Sequence, residues 1–71
     1  MATWSPQASN DLKTYVTKYN LSEAQAAQLN RDIAAWADMI GTFNTKTFTV
    51  GNYRIQATAE NHEILKIDLD A

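Results

Sequence analysis

Thr47-Phe48-Thr49-Val50-Gly51-Asn52-Tyr53-Arg54-Ile55-Gln56-Ala57-Thr58-Ala59 is the stretch that decides the fold. Its apolar residues recur at every second position, and β-branched and aromatic types are frequent, so it reads as strand and not as helix. Gly51-Asn52 interrupts the alternation with two residues that accept positive φ readily, which makes a two-residue hairpin turn. Phe48 and Val50 then share one face of a first strand, with Thr47 and Thr49 on the other. Tyr53, Ile55, Ala57 and Ala59 alternate against Arg54, Gln56, Thr58 and Glu60. Asn61-His62 supplies a second turn, and Leu65, Ile67 and Leu69 form the apolar face of a last strand, opposed by Lys66 and Asp68. The strands are expected at about 45–50, 53–60 and 63–69, giving a sheet with one greasy and one wet face.

Upstream of Gly41 the apolar period is close to 3.6. Ser5 followed by Pro6 marks a helix start, because Ser is a favoured N-cap and Pro is pre-set for the first helical position. Ala8, Leu12, Val16 and Tyr19, with Tyr15 beside them, make one apolar stripe, and Asn20 ends the helix. Ser22-Glu23-Ala24-Gln25 is an S-x-x-Q capping box, with Leu21 as a hydrophobic staple. Ala26, Leu29, Ile33, Trp36 and Ile40 give a second stripe, and Gly41 stands where a left-handed C-terminal cap is expected. Helices at about 6–19 and 23–40 with so short a connection form an antiparallel hairpin. The expected architecture is a single α+β domain over 1–71, in which this hairpin packs on one face of a three-stranded antiparallel meander. Residues 1–4, with Trp4, have room for a short N-terminal edge strand, for capping the core or for projecting into a partner.

Composition limits what such a domain does. Seventy-one residues that are 45% hydrophobic and 20% charged describe a folded chain of modest stability, and without cysteine no disulfide or thiolate metal site reinforces it. No apolar run reaches the ~20 residues of a membrane span, and the N-terminus has no secretory pattern, so the sequence reads as cytoplasmic. The net charge of −2, with Lys and Arg spread singly, weighs against nucleic acid as the main ligand.

Trp4-Ser5-Pro6-Gln7-Ala8-Ser9-Asn10-Asp11-Leu12, in which a short segment runs into S-P-x-A-x-x-D-L, resembles the strand-to-helix opening of the RelE/ParE toxin superfamily. Val50-Gly51-Asn52-Tyr53-Arg54-Ile55 is similar to its V-G-x-Y-R-[VIL] hairpin, and Glu63-Ile64-Leu65-Lys66-Ile67 stands in the place of its last strand. For nuclease members the resemblance implies cleavage by basic residues on the sheet together with a C-terminal His, Arg or Tyr. Arg54 matches the hairpin arginine, and Lys46 aligns with a basic residue on the preceding strand. Thr49 lies near where many members carry another cation. The chain reads Leu69-Asp70-Ala71 where the C-terminal residues would follow, and Asp68 and Asp70 repel a phosphate backbone.

Other candidate chemistry is sparse. His62 is the only histidine and falls in a turn, where an exposed polar residue is the commoner occurrence than a general base. Asp11, Asp32 and Asp38 lie on helical polar faces without a ligand cluster, so solvated surface charge is expected and no metal or cofactor is. Arg54 shares the wet sheet face with Gln56 and Thr58, either paired across to Asp68 or available to a partner. The function expected is therefore a non-catalytic, toxin-like binding module, such as a phage- or plasmid-encoded inhibitor. Its partner would be a protein, a host enzyme or an antitoxin, and its candidate contacts are Arg54, Lys46, Lys66, Gln56 and Trp4. The alternatives are an mRNA endonuclease with a displaced site around Lys46, Arg54 and Lys66, and a self-assembling protein that pairs through an exposed strand edge.

Overall fold

In the computed structural model, residues 1–69 are described, Leu69 as backbone only; the expectations attached to the Leu69 side chain and to Asp70 lie outside the described residues. The elements are β1 (Thr3–Trp4), α1 (Pro6–Lys18), α2 (Glu23–Met39), β2 (Asn44–Val50), β3 (Tyr53–Glu60) and β4 (Glu63–Leu69). The fold is α+β, but the sheet has four strands in the order β1-β4-β3-β2 and is mixed. β2, β3 and β4 form the antiparallel meander, and β1 adds to it parallel to β4, with Thr3 opposite Glu63 and Trp4 opposite Ile64. The expectation of a three-stranded antiparallel sheet is corrected on this point. The chain enters α1 straight from β1, so the first strand lies along the last without closing a hairpin.

Both helices start as their caps dictate. The Ser5 hydroxyl accepts from Ala8 N at 3.0 Å, with Pro6 opening the helix. Ser22 and Gln25 form the reciprocal capping box at 3.0 and 3.1 Å. Asn20 ends α1 at φ 53°, and Leu21 N donates to Val16 O while Asn20 N donates to Thr17 O, which is the Schellman arrangement. The end of α2 differs from expectation, because Ile40 is extended at the cap and Gly41 has no positive φ. The last carbonyls of α2 are instead taken from outside the helix. His62 N donates to Ile40 O at 3.1 Å, and His62 Nδ1 lies 3.3 Å from Ala37 O.

The core is formed by Ala8 and Leu12 of α1, Leu29, Ile33, Trp36 and Ala37 of α2, and Phe48, Ile55, Ala57, Ala59, Ile64 and Ile67 of the sheet. Trp36 meets Phe48 edge-to-face, with ring centroids 5.7 Å apart. Trp4 and Tyr15 are half-buried against this core. β4 departs from simple alternation, because Thr58 pairs with Lys66 but Ala59 pairs with Ile64, leaving Leu65 as an extra residue. This β-bulge returns Ile64 to the helix side, where it is fully buried, while Leu65 is only half-buried. The expected apolar set on β4 is corrected accordingly, from Leu65 to Ile64.

The outer edge of β4 is closed residue by residue. Thr3 N donates to His62 O and Ser5 N to Ile64 O, as β1 runs alongside. Where β1 stops, the Ser5 hydroxyl donates to Leu65 O at 2.8 Å, and the Asp11 carboxylate accepts from Ile67 N at 3.0 Å. Asp11 is therefore half-buried and engaged by the sheet, not the solvated surface charge expected of it. Replacing Asp11 by Ala leaves the Ile67 amide without its acceptor and should destabilise the domain by about 1–3 kcal/mol, whereas Asp11→Asn, which keeps an acceptor oxygen, should cost less. Urea unfolding checks this, and an Asp11→Ala change within about 0.5 kcal/mol of the parent would remove the role assigned to the carboxylate.

Candidate functional site: the open sheet face

Residue pairing fixes which side chains share a face. On the helix side, Phe48 lies opposite Ile55, and two residues back Lys46 lies opposite the buried Ala57. Lys46 Nζ accordingly stands over the Phe48 ring, 5.5 Å from its centroid. Lys46 thus belongs to the helix side of the sheet edge, where it lines a cleft of about 380 Å³ with Asp32, Trp36, Met39 and Phe48.

The opposite face carries Thr45, Thr47 and Thr49 of β2, Arg54, Gln56, Thr58 and Glu60 of β3, and Lys66 and Asp68 of β4. No helix covers it. Thr58 is nevertheless buried, being flanked on the central strand by Thr45 and Lys66. Lys66 Nζ lies 3.4 Å from Asp68 Oδ2, an exposed ion pair that ties this lysine to its own strand. Asp68 sits opposite Gln56, not Arg54, so the Arg54 to Asp68 pairing, one of the two alternatives for this arginine, does not form. Arg54 is exposed opposite Thr49 and has no hydrogen bond or ion pair among the described residues.

The three cations required by a displaced nuclease site are therefore not brought together. Lys46 is on the other face, and Arg54 and Lys66 stand four residues apart along the sheet, about 13 Å at the usual strand rise. His62, in the β3–β4 turn, is spent on the end of α2, at the opposite end of β3 from Arg54. Among the described residues, no group of three or more His, Cys, Asp or Glu is placed to hold a metal ion, and no helix is long and apolar enough to cross a membrane.

At the hairpin end of the molecule the side chains meet in a way the sequence did not announce. Gly51 has φ 59° and Asn52 does not share it, the pattern of a type II′ turn. This turn places Tyr53 against α1, where its ring stacks on Tyr19 at 4.1 Å, and Tyr19 stacks in turn near Tyr15 at 6.3 Å. Tyr53 is 41% exposed, and the stack fixes the hairpin beside which Arg54 projects. The only sequence signal was Tyr19 at the end of one apolar stripe and Tyr53 at the start of another.

A scan against family models and searches of curated proteins and of solved structures found no match to this chain.

Of the candidate contacts, Trp4 is the one whose packing gives it a structural duty. Trp4→Ala should destabilise the domain by about 2 kcal/mol, since its indole is half-buried on the core. Arg54→Ala and Gln56→Ala should each stay within about 0.5 kcal/mol, as surface changes away from caps and turns do. Thermal unfolding of the three variants separates them, and a large loss of stability in Arg54→Ala would assign the arginine to the fold.

Proposed function

We propose that this protein is a non-catalytic binding module that inhibits or regulates a macromolecular partner by occupying its surface through the open sheet face. The observation that carries this reading is Arg54, exposed on that face and without a partner among the described residues. Arginine offers five donors in a planar fork and is enriched at binding hot spots, so an uncommitted one on a supported strand is suited to a protein contact. Gln56 beside it and the β2 threonines supply hydrogen-bonding groups around the guanidinium. Lys66 and Lys46, committed to Asp68 and to the Phe48 ring, belong to the periphery of such a contact.

The resemblance to RelE/ParE toxins supports the same reading in a restricted way. It suggests a scaffold whose members include binders of a topoisomerase as well as ribosome-dependent nucleases. The separation of Lys46, Arg54 and Lys66 favours the binder, because phosphodiester cleavage needs charge neutralisation and proton transfer at one point. A cytoplasmic inhibitor carried by a phage or plasmid fits the size and the lack of cysteine.

Affinity capture from bacterial lysate with wild type, Arg54→Glu and Lys13→Glu, the last a charge reversal on α1, tests the proposal. A stoichiometric protein should be retained by wild type and Lys13→Glu and lost with Arg54→Glu. Titration of the purified partner should then show Arg54→Ala binding roughly 30-fold more weakly, the effect of a hot-spot truncation of about 2 kcal/mol. Recovery of ribosomes or RNA, or equal retention by all three proteins, would overturn it.

A further inference from the structure

The chain has no cysteine, so oxidation cannot tie its elements together through a disulfide. Three of its phenol rings are nevertheless gathered at one end, where the close of α1 meets the β2–β3 hairpin. Tyr19 and Tyr53 lie with ring centroids 4.1 Å apart and planes within 13°, the closest ring pair among the described residues. Tyr15, one helical turn earlier, stands 6.3 Å from Tyr19. The stack needs the rings but not the oxygens, since two phenylalanines would pack in the same way. The Tyr19 and Tyr53 hydroxyls make no hydrogen bond among the described residues, so the fold has no evident use for them. Tyr53 is 41% exposed and Tyr19 half-buried, which leaves the pair within reach of a solution reagent.

We infer that Tyr19 and Tyr53 form an oxidative modification site, at which a one-electron oxidant of the peroxidase class joins the two rings as a dityrosine within one chain. Each phenol gives up one electron and one proton, and the phenoxyl radical so formed carries spin on the ring carbons ortho to its oxygen. One such carbon from each ring forms the C–C bond, and the hydrogens these carbons carried move to the oxygens, restoring two phenols. Two electrons and two protons are lost for one bond formed, and with hydrogen peroxide as terminal oxidant they reduce it to two waters. Centroids 4.1 Å apart put carbons of the two rings close to the about 3–3.5 Å at which bonds form. The new bond requires the rings to tilt from face-to-face toward edge-to-edge, and Tyr53, which opens β3 directly after the turn, has solvent to tilt into. Groups held in contact on one chain meet at an effective concentration of roughly millimolar or far more, so coupling within the chain outruns coupling between dilute chains. The bond closes a covalent loop through α2 and β2 and clamps α1 to the hairpin beside which Arg54 projects, whether or not Arg54 binds a partner. A crosslink of this kind stabilises by restricting the unfolded chain.

Treatment of the folded protein, at low micromolar concentration, with a haem peroxidase and hydrogen peroxide tests the site. Wild type should yield a monomer lighter by two hydrogens, with dityrosine fluorescence and a peptide map that joins the segment of Tyr19 to that of Tyr53. Tyr15→Phe should behave likewise. Tyr19→Phe and Tyr53→Phe keep a ring stack, and circular dichroism confirms that they fold; each should form at least about tenfold less crosslinked monomer, because the second phenol is no longer held in contact. The exposed Met1 and Met39 gain oxygen from peroxide and raise the mass, so their oxidation is separated from the loss of hydrogens. The crosslinked monomer should unfold at a higher urea midpoint than the untreated one, and an unchanged midpoint would remove the clamp. Crosslinks found only between chains, a Tyr15 to Tyr19 bond as the main monomer product, or an equal yield of the Tyr19 to Tyr53 bond from the urea-unfolded chain would each overturn the inference. Wild type that forms no crosslink while its methionines oxidise would overturn it as well.

Discussion

The outer edge of β4 is the constraint on which the rest of the structure depends. A strand at the rim of a sheet carries main-chain groups that must find partners or water, and β4 would be such a rim without the first dozen residues. Two residues of β1 suffice only because the chain continues along the same edge as a helix that contributes side chains. Ser5 takes the carbonyl of the bulged Leu65, and Asp11 receives the Ile67 amide one step farther along. One element thus acts as strand, cap and clamp in succession, and α1 is placed along β4 as a result. The Ser5 hydroxyl serves both ends of this arrangement, accepting from Ala8 N while donating to Leu65 O.

The same edge explains why the bulge is needed. With strict alternation, Leu65, Ile67 and Leu69 would face the helices and Ile64 would face water. Leu65 as an extra residue puts Ile64 opposite Ala59, next to the start of β1, and offers the Leu65 carbonyl to Ser5. The turn beyond it works on the other helix. Asn61 and His62, both at positive φ, bring His62 under the last turn of α2, so that a β-turn caps a helix that lacks a glycine cap of its own. The N-terminal ammonium lies 3.0 Å from Asp38 Oδ1 close by, an exposed pair that adds little. The structure is consequently tightened where β1 and α1 meet β4.

Sequence reading reached the elements and the core stripes because each rests on local signals. Ser5-Pro6, the Ser22 to Gln25 box and Gly51-Asn52 specify starts and turns through contacts three or four residues long. What it missed spans the chain. Asp11 meets Ile67 across 56 positions and Ser5 meets Leu65 across 60, and neither carboxylate nor hydroxyl has a pattern that announces such a partner. The bulge was invisible because Leu65-Lys66-Ile67-Asp68-Leu69 alternates correctly by itself. Lys46 was grouped with Arg54 and Lys66 as a candidate site without regard to strand face, whereas pairing with Ala57 puts it on the helix side. Arg54 was legible as an outward residue of β3, but that it has no partner among the described residues depends on Asp68 turning to Lys66.

These observations bear on what the family resemblance means. In the opening segment, Ser5 caps α1 and bonds β4, Pro6 begins the helix, Ala8 and Leu12 are buried, and Asp11 holds the Ile67 amide. In the hairpin segment, Gly51 takes the positive φ, Tyr53 stacks on Tyr19, and Ile55 is 1% exposed. Each of these residues is accounted for by the need to seal one sheet edge, cap one helix or turn one hairpin. A chain built as strand, two helices and three strands would be drawn to the same residue types by those needs alone, whatever its ancestry. Arg54 is the exception, since nothing among the described residues requires a guanidinium there. Such a resemblance therefore says little about activity, and a residue without structural duty among the described ones is where function is to be sought.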